Sequence, residues 1–362
     1  MAVVALDGRE LAGRPTGVGR FLANLLAAWA RLPEAREHRY VLYVPEAAAG
    51  VPPGLDVRVR VLPGASGTWW EQARLAAAVR RDGPDVLFAP AYSAPLAAGV
   101  PVVVALHDLS FLAHPEWFPP RSRVRRRVLA ALSARRAAAV FTISEFSRGE
   151  IVARLKVPAG RVRVVRLAPG GPAVPRGLAR EPMVLFAGSI FNRRHVPELI
   201  AACGRLAPTL PGLRLEIAGE DRTYPRQDLA AAARASGLGD RLAFRAYLAD
   251  AELGELYGRA SAFAFLSDYE GFGLTPLEAL AAGVPAVLGD TAVAREVCGD
   301  AALYVPTGDV GAIAAALEAL LGDGAERARL LGAAPAVLAR YSWERVGRET
   351  LDVLLGAARG RA

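Results

Sequence analysis

The sequence predicts an α/β protein made of two Rossmann-like domains, and three observations carry that prediction. At 362 residues the chain exceeds one typical domain. Short apolar runs alternate with longer, helix-compatible Ala/Leu/Arg segments along its whole length. One dense Pro/Gly stretch, Pro169-Gly170-Gly171-Pro172-Ala173-Val174-Pro175, divides the alternation into two series.

In the first series residues 3–6, 40–44, 57–61, 86–88, 102–106 and 138–142 read as strands. Helices are predicted over residues 21–32 and 69–81. Alternation of this kind argues for a mostly parallel sheet with helices on both faces. After the apolar run 162–167 and the linker, a second series places strands at 183–187, 214–218, 243–247, 262–266, 286–288 and 303–305. The boundaries expected are 1–170 for the first domain, 171–340 for the second, and 341–362 for a final helix and tail. Ser342 starts that helix, and Trp343 reads as a packing anchor.

Composition narrows the function classes. With 53% hydrophobic and 22% charged residues the chain can bury large cores, which excludes a disordered protein. Its net charge of +8 is almost wholly arginine, since Lys156 is the only lysine. A basic balance suits nucleic acid, anionic lipid or a phosphorylated ligand. No RNP pattern, zinc finger or helix-turn-helix signature is present, so nucleic acid is not expected. Cys203 and Cys298 match no metal-ligand spacing and read as reduced core thiols. The apolar start Met1 to Leu6 is too short for a signal peptide, and no run reaches the roughly 20 residues of a membrane span, which points to the cytoplasm.

The most informative stretch is Tyr269-Glu270-Gly271-Phe272-Gly273-Leu274-Thr275-Pro276-Leu277-Glu278. It follows a predicted strand and leads into a helix expected over residues 276–282. Gly271 and Gly273 let backbone approach a ligand, and Pro276 at the first helical position aims unpaired amides and the positive helix end at the loop. Such a site suits a diphosphate, while Glu270 and Glu278 supply acceptors for sugar hydroxyls; a nucleotide sugar carries both groups. The competing reading is a capping box, Thr275-x-x-Glu278, worth roughly 1 kcal/mol and needing no ligand.

The same stretch, through Gly283-Val284-Pro285 and Glu296-Val297-Cys298-Gly299-Asp300-Ala301-Ala302, resembles the E-x7-E region of retaining GT-B glycosyltransferases of the family-4 type, bacterial polysaccharide mannosyltransferases among them. The resemblance implies two domains facing a central cleft, with the last helix crossing back to the first domain. It assigns Glu270 and the Gly271, Phe272, Gly273 and Leu274 backbone to the donor sugar and diphosphate, and Glu278 to the ribose. In Gly188-Ser189-Ile190-Phe191-Asn192-Arg193-Arg194, the positions of Arg193 and Arg194 match an arginine and a lysine that bind the donor diphosphate. Arginine forks suit phosphate oxygens. Ser189 stands where some relatives carry positive charge.

In the first series, Gly17 and Gly19 match the glycine-rich loop placed opposite the donor diphosphate, with Arg20 in support. His107 leaves a strand where relatives place an active-site histidine near the transferred sugar; Asp108 is expected to orient it, and His114 is expected to be structural. Asp221 and Arg222 correspond to a base or diphosphate contact. Trp69-Trp70-Glu71-Gln72 reads either as an acceptor-side segment or as a helix start with buried aromatics. The basic stretch Arg121 to Arg136 reads either as a solvated face or as a peripheral contact with anionic lipid at the inner face of a membrane.

The expected activity is retaining transfer of a hexose, mannose first, from a nucleoside diphosphate sugar to a hydroxyl of a glycan or lipid-linked saccharide. His107, Glu270 and Arg194 are its catalytic candidates. No Asp-x-Asp motif is present, so no metal and no cofactor are expected, arginines and helix dipole standing in for the cation. Two rivals remain on the same residues: a sugar-nucleotide epimerase, and a non-catalytic sugar-nucleotide-binding scaffold.

Overall fold

The computed structural model describes residues 1–13, 17–46, 51–246, 248–322 and 324–360. Tyr247, the predicted end of a strand, and Arg14 to Thr16 of the glycine-rich loop lie outside the described residues. The chain separates into two compact units. One comprises Met1–Pro115, Pro120–Leu167 and Tyr341–Ala362; the other comprises Glu116–Pro119 and Ala168–Arg340.

The first unit is built on a seven-stranded parallel sheet. Its strands are β1 (Val3–Asp7), β2 (Arg39–Val44), β3 (Asp56–Val61), β4 (Val86–Ala89), β5 (Val102–Ala105), β6 (Ala139–Thr142) and β7 (Val162–Val164), in the order β3-β2-β1-β4-β5-β6-β7. β4 and β6 are buried at every position, because parallel strands covered on both faces need apolar side chains on both. At the edge, β3 reads Asp-Val-Arg-Val-Arg-Val and is largely exposed, its charges discouraging a further strand. The order reverses between β1 and β4, which makes their carboxyl ends the switch point of the sheet.

The helix Gly17–Trp29 starts earlier than the predicted residue 21. Phe21, Leu22, Leu25, Leu26 and Trp29 form its buried stripe, Gly19 is buried with them in the first turn, and Gly17 at φ 25 marks the boundary. It stops before the predicted end because Leu32 precedes Pro33, which opens a separate short helix, Pro33–Arg36. The segment predicted as a helix over 69–81 is π-helical at Trp70–Leu75 and α-helical at Ala76–Asp82. Trp70 is buried, its indole donating to Leu62 O at 2.7 Å, whereas Trp69 is exposed.

The last helix, Trp343–Ala358, belongs to the first unit, as the resemblance implies. Ser342 Oγ caps it by accepting from Arg345 N at 3.2 Å. Trp29 Nε1 donates to Gly347 O at 2.9 Å, and a Cβ at Gly347 would lie 2.8 Å from Leu32 Cδ1, so a larger residue here would displace the Leu32 side chain. Trp343 packs beside Phe21, with ring centroids 6.4 Å apart.

The second unit carries a six-stranded parallel sheet: β8 (Glu181–Ala187), β9 (Arg214–Ala218), β10 (Leu242–Arg245), β11 (Ala260–Phe265), β12 (Ala286–Gly289) and β13 (Ala302–Val305), in the order β10-β9-β8-β11-β12-β13. Its switch point lies between β8 and β11. Both cysteines are free and buried, and burial pushes each thiol up to about 12. Among the described residues no helix is long and apolar enough to cross a membrane.

Candidate active site

The loops that leave β8 and β11 at this switch point bring together Ser189, Arg193, Arg194, Ser267 and Glu270. Glu270 Oε1 accepts from Arg194 Nε at 2.8 Å and from Ser267 Oγ at 2.9 Å, and lies 3.6 Å from Arg193 Nε. Burial pushes this carboxyl up, but the charges of Arg194 and Arg193 and the bonds from Arg194 and Ser267 pull harder and hold it down at about 2. It is a carboxylate at any physiological pH.

Arg194 also donates to Ser189 O at 2.8 Å, and its guanidinium lies over the Phe265 ring, 4.6 Å from the centroid. Gly188, at φ +132, is required here: a Cβ would meet the Arg194 guanidinium at 2.8 Å. Arg193 lies over Phe191 at 4.4 Å, and its buried Nε makes no hydrogen bond among the described residues. Two guanidinium groups therefore share one carboxylate, which leaves positive charge for an anion. Ser267 was not singled out from the sequence; its only signal is a position just beyond a buried strand.

The following helix is Leu274–Ala281, with Gly273 as N-cap at φ +101. Thr275 and Pro276 are thus its second and third residues, which corrects the expected start at Pro276. The capping box is not formed as read: Thr275 lies inside the helix, and its buried Oγ1 makes no hydrogen bond among the described residues. A glycine N-cap leaves the first-turn amides without a side-chain cap, the condition in which a helix end receives an anion. Glu278 accepts a long hydrogen bond, 3.5 Å, from Tyr257 OH. Against its stem packs Gly171 of the linker, where a Cβ would stand 3.0 Å from Glu278 Cγ.

In the first unit His107 is 7% exposed, ringed by Phe21 and Tyr92 with centroids at 5.6 Å each. Its Nε2 lies 2.8 Å from Pro90 O. A carbonyl only accepts, so Nε2 carries the proton, and burial lowers the pKa, which leaves a neutral ring with an acceptor at Nδ1. Pro90, not Asp108, orients this imidazole. Asp108 is engaged by Ser110 N and Oγ at 2.8 and 2.7 Å and by Tyr92 OH at 3.1 Å. Tyr92 holds a left-handed backbone, φ 63, beside the histidine. His114 ends a helical turn, donating its N–H to Ser110 O, which suits the structural role expected of it.

Gly17 and Gly19 are the first and third residues of their helix, Gly19 buried and Arg20 exposed. Asp221 and Ile190 form a parallel bridge, so the Asp221 segment runs beside Ser189. Arg222 is paired with Glu220 at 2.6 Å. Glu71 is buried in a charged group at the carboxyl ends of β1 and β4: it receives Arg9 at 2.5 Å and Ser93 Oγ at 2.8 Å, while Arg9 also holds Asp7 at 2.8 Å. Burial, against the pull of Arg9, raises Asp7 to about 6. The fit of Asp7 and Arg9 to Glu71 had no sequence signal, since 62 residues separate Arg9 from Glu71.

Two family models match the chain. The model for glycosyltransferase family 4 covers residues 15–167, and that for glycosyl transferases group 1 covers residues 176–336. The O-antigen chain mannosyltransferase B of Escherichia coli is 30% identical over 266 residues, 69% of this chain and 69% of its own. Glycogen synthase of Mycobacterium tuberculosis is 29% identical over 293 residues, 76% of this chain and 70% of its own. Among solved structures, Anabaena Alr3699/HepE in complex with UDP and glucose superposes with a TM-score of 0.75 at 21% identity, over 98% of this chain and 99% of that one. With two parallel-sheet units, a switch-point site in the second and matches of this extent, the chain belongs to the family-4, group 1 glycosyltransferases of the GT-B fold.

Proposed function

We propose that this glycosyltransferase moves a hexose, mannose as the first candidate, from a nucleoside diphosphate sugar to a hydroxyl of a glycan or lipid-linked saccharide, with retention of anomeric configuration. The observation that carries the reading is Arg193 and Arg194 sharing the single carboxylate of Glu270 beside the uncapped start of Leu274–Ala281. That arrangement suits a diphosphate flanked by hydroxyl groups. The choice of mannose is supported by the Escherichia coli mannosyltransferase relative and by a second match of 37% identity over 105 residues to the GDP-mannose:cellobiosyl-diphosphopolyprenol alpha-mannosyltransferase of Komagataeibacter xylinus.

In this reading the diphosphate takes the two guanidinium groups and the amides of Gly271 to Leu274, and the carboxylates of Glu270 and Glu278 accept from sugar and ribose hydroxyls. The acceptor oxygen bonds to the anomeric carbon as the bond from that carbon to the phosphate oxygen breaks. The hydroxyl proton passes to the departing diphosphate, whose charge the arginines stabilise. His107, neutral with an acceptor at Nδ1, is the catalytic candidate of the first unit. The reaction requires no cofactor and no metal.

A matched assay tests this. Transfer in EDTA should proceed at the rate seen with magnesium, and Glu270→Ala should lose at least a hundredfold in kcat/KM. A strict divalent-ion requirement, or unchanged transfer by Glu270→Ala, contradicts the assignment. For the acceptor side we propose a peripheral lipid contact through Pro120–Arg136, where Val124 and Val128 are exposed among Arg125, Arg126 and Arg127. Co-sedimentation with phosphatidylglycerol vesicles should fall when those three arginines become glutamine. Equal sedimentation would leave the helix a solvated face.

A further inference from the structure

We propose that His195 is a positioning residue for the donor diphosphate: clamped between Asp268 and Glu198, its ring ties the loop of Arg193 and Arg194 to the loop of Glu270 and supplies a third positive charge beside them. The proposal rests on the reading of this site as a diphosphate site.

The geometry is unusual for a histidine. His195 sits at φ 50, ψ 40, in the left-handed region that few residues other than glycine occupy. Its Nε2 lies 2.7 Å from Asp268 Oδ2 and its Nδ1 3.4 Å from Glu198 Oε1. A carboxylate oxygen only accepts, so Nε2 donates to Asp268, and with the Glu198 carboxylate within ion-pair distance of Nδ1 the two acids flanking the ring favour its imidazolium form. The backbone N–H of the same Asp268 donates to Arg193 O at 2.9 Å. Asp268 thus holds Arg193 by its main chain and His195 by its side chain, two residues before Glu270. At the helix Val196–Leu206, His195 O accepts from Leu199 N at 3.0 Å, which anchors the loop to a rigid element.

Among the described residues, charged groups face the ring from two elements. Asp268 comes from the loop after β11 and Glu198 from the first turn of Val196–Leu206. On a third side lies Gly308, a Cβ there standing 3.7 Å from His195 Cε1. Its neighbour Asp309 has Oδ1 occupied by the amides of Gly311 and Ala312. Arg193 and Arg194 precede the ring in the chain. The bonds to Asp268 and to Glu198 outweigh burial and raise His195 to about 9. Below that pH, Arg193, Arg194 and His195 balance Glu270, Asp268 and Glu198. Above it a net negative charge faces the diphosphate, and the strap between the loops weakens.

The test is calorimetric titration of GDP and UDP, with donor KM and kcat, across about pH 7 to 10 for wild type, His195→Asn and His195→Gly. Asparagine and glycine both tolerate left-handed backbone, so either variant that folds serves. Above about pH 8 the nucleotide phosphates are fully ionised, while the guanine and uracil N–H groups lose a proton at about pH 9 to 10 in every titration alike, so the fall due to His195 is the wild-type fall less that of the variants. Wild-type affinity should fall roughly tenfold beyond that of the variants between about pH 8 and 10. The variants should bind roughly tenfold more weakly at about pH 7, the loss lying mainly in KM, and over the same range should show only the slope of base ionisation, roughly tenfold less than that of wild type. Wild-type binding that either variant reproduces, slope included, overturns the role of His195 and leaves the diphosphate site standing. Failure of the wild type to bind any nucleoside diphosphate at any pH overturns both.

Discussion

Glu270 is kept ionised by its neighbours, and the cost of removing it follows. Its carboxyl falls from 4.5 in the unfolded chain to about 2 in the fold, so its stabilisation is complete above about pH 4.5 and is lost as pH falls toward 2. The shift corresponds to about 3 kcal/mol. Glu270→Gln should therefore lower unfolding stability by a few kcal/mol at about pH 7, since two arginines are left without their counter-charge. In urea unfolding the gap should shrink by roughly half or more at about pH 3; a gap independent of pH contradicts the pairing. At this scale the sequence was legible where charge and spacing decide. Arg193, Arg194 and Glu270, each singled out for the donor, lie together, Glu270 Oε1 2.8 Å from Arg194 Nε and 3.6 Å from Arg193 Nε. It was illegible where a single bond decides: nothing in His107-Asp108 reveals that Pro90, 17 residues earlier, takes the imidazole.

Strand ends and helix starts place these groups. The parallel strands were readable because burial on both faces demands continuous apolar runs, and residues 214–218 match β9 at both ends. Helix starts were less so. Ser/Thr-x-x-Glu is a pattern of local bonds, whereas the start of Leu274–Ala281 is set by Gly273 in left-handed backbone. The linker was recognised as a linker, yet the packing of Gly171 on Glu278 has no local signal. Gly171→Ala should push Glu278 aside and weaken nucleotide-sugar binding several-fold with little change in melting temperature; undiminished affinity would mean that Glu278 does not touch the ligand. Gly219→Ala should behave in the opposite way. Its Cβ would fall 2.0 Å from Gly188 O at φ +153, so the variant should lose more than about 2 kcal/mol in unfolding.

For the whole molecule, the place of Trp343–Ala358 in the first unit means that this last helix completes the core begun by the seven-stranded sheet. Gly347→Val would drive a branched side chain against Leu32, Ala28 and Trp29 and should cost about 1–3 kcal/mol, confined to the unfolding of the first unit. Nucleotide binding should be unchanged; loss of binding would mean that the two units are not independent in stability. The family and fold follow from the alternation and the matches along the chain, but the sugar and the acceptor depend on side chains that converge from separate loops. The central claim is that Glu270, Glu278 and the two arginines hold a nucleoside diphosphate sugar. Its most direct test is calorimetric titration, in EDTA, with GDP-mannose, UDP-glucose, UDP-N-acetylglucosamine and TDP-rhamnose, repeated on Glu278→Ala. The account predicts binding of one donor, GDP-mannose first, weakened roughly tenfold or more by the substitution. Equal affinity in Glu278→Ala, or no binding of any donor, would contradict it.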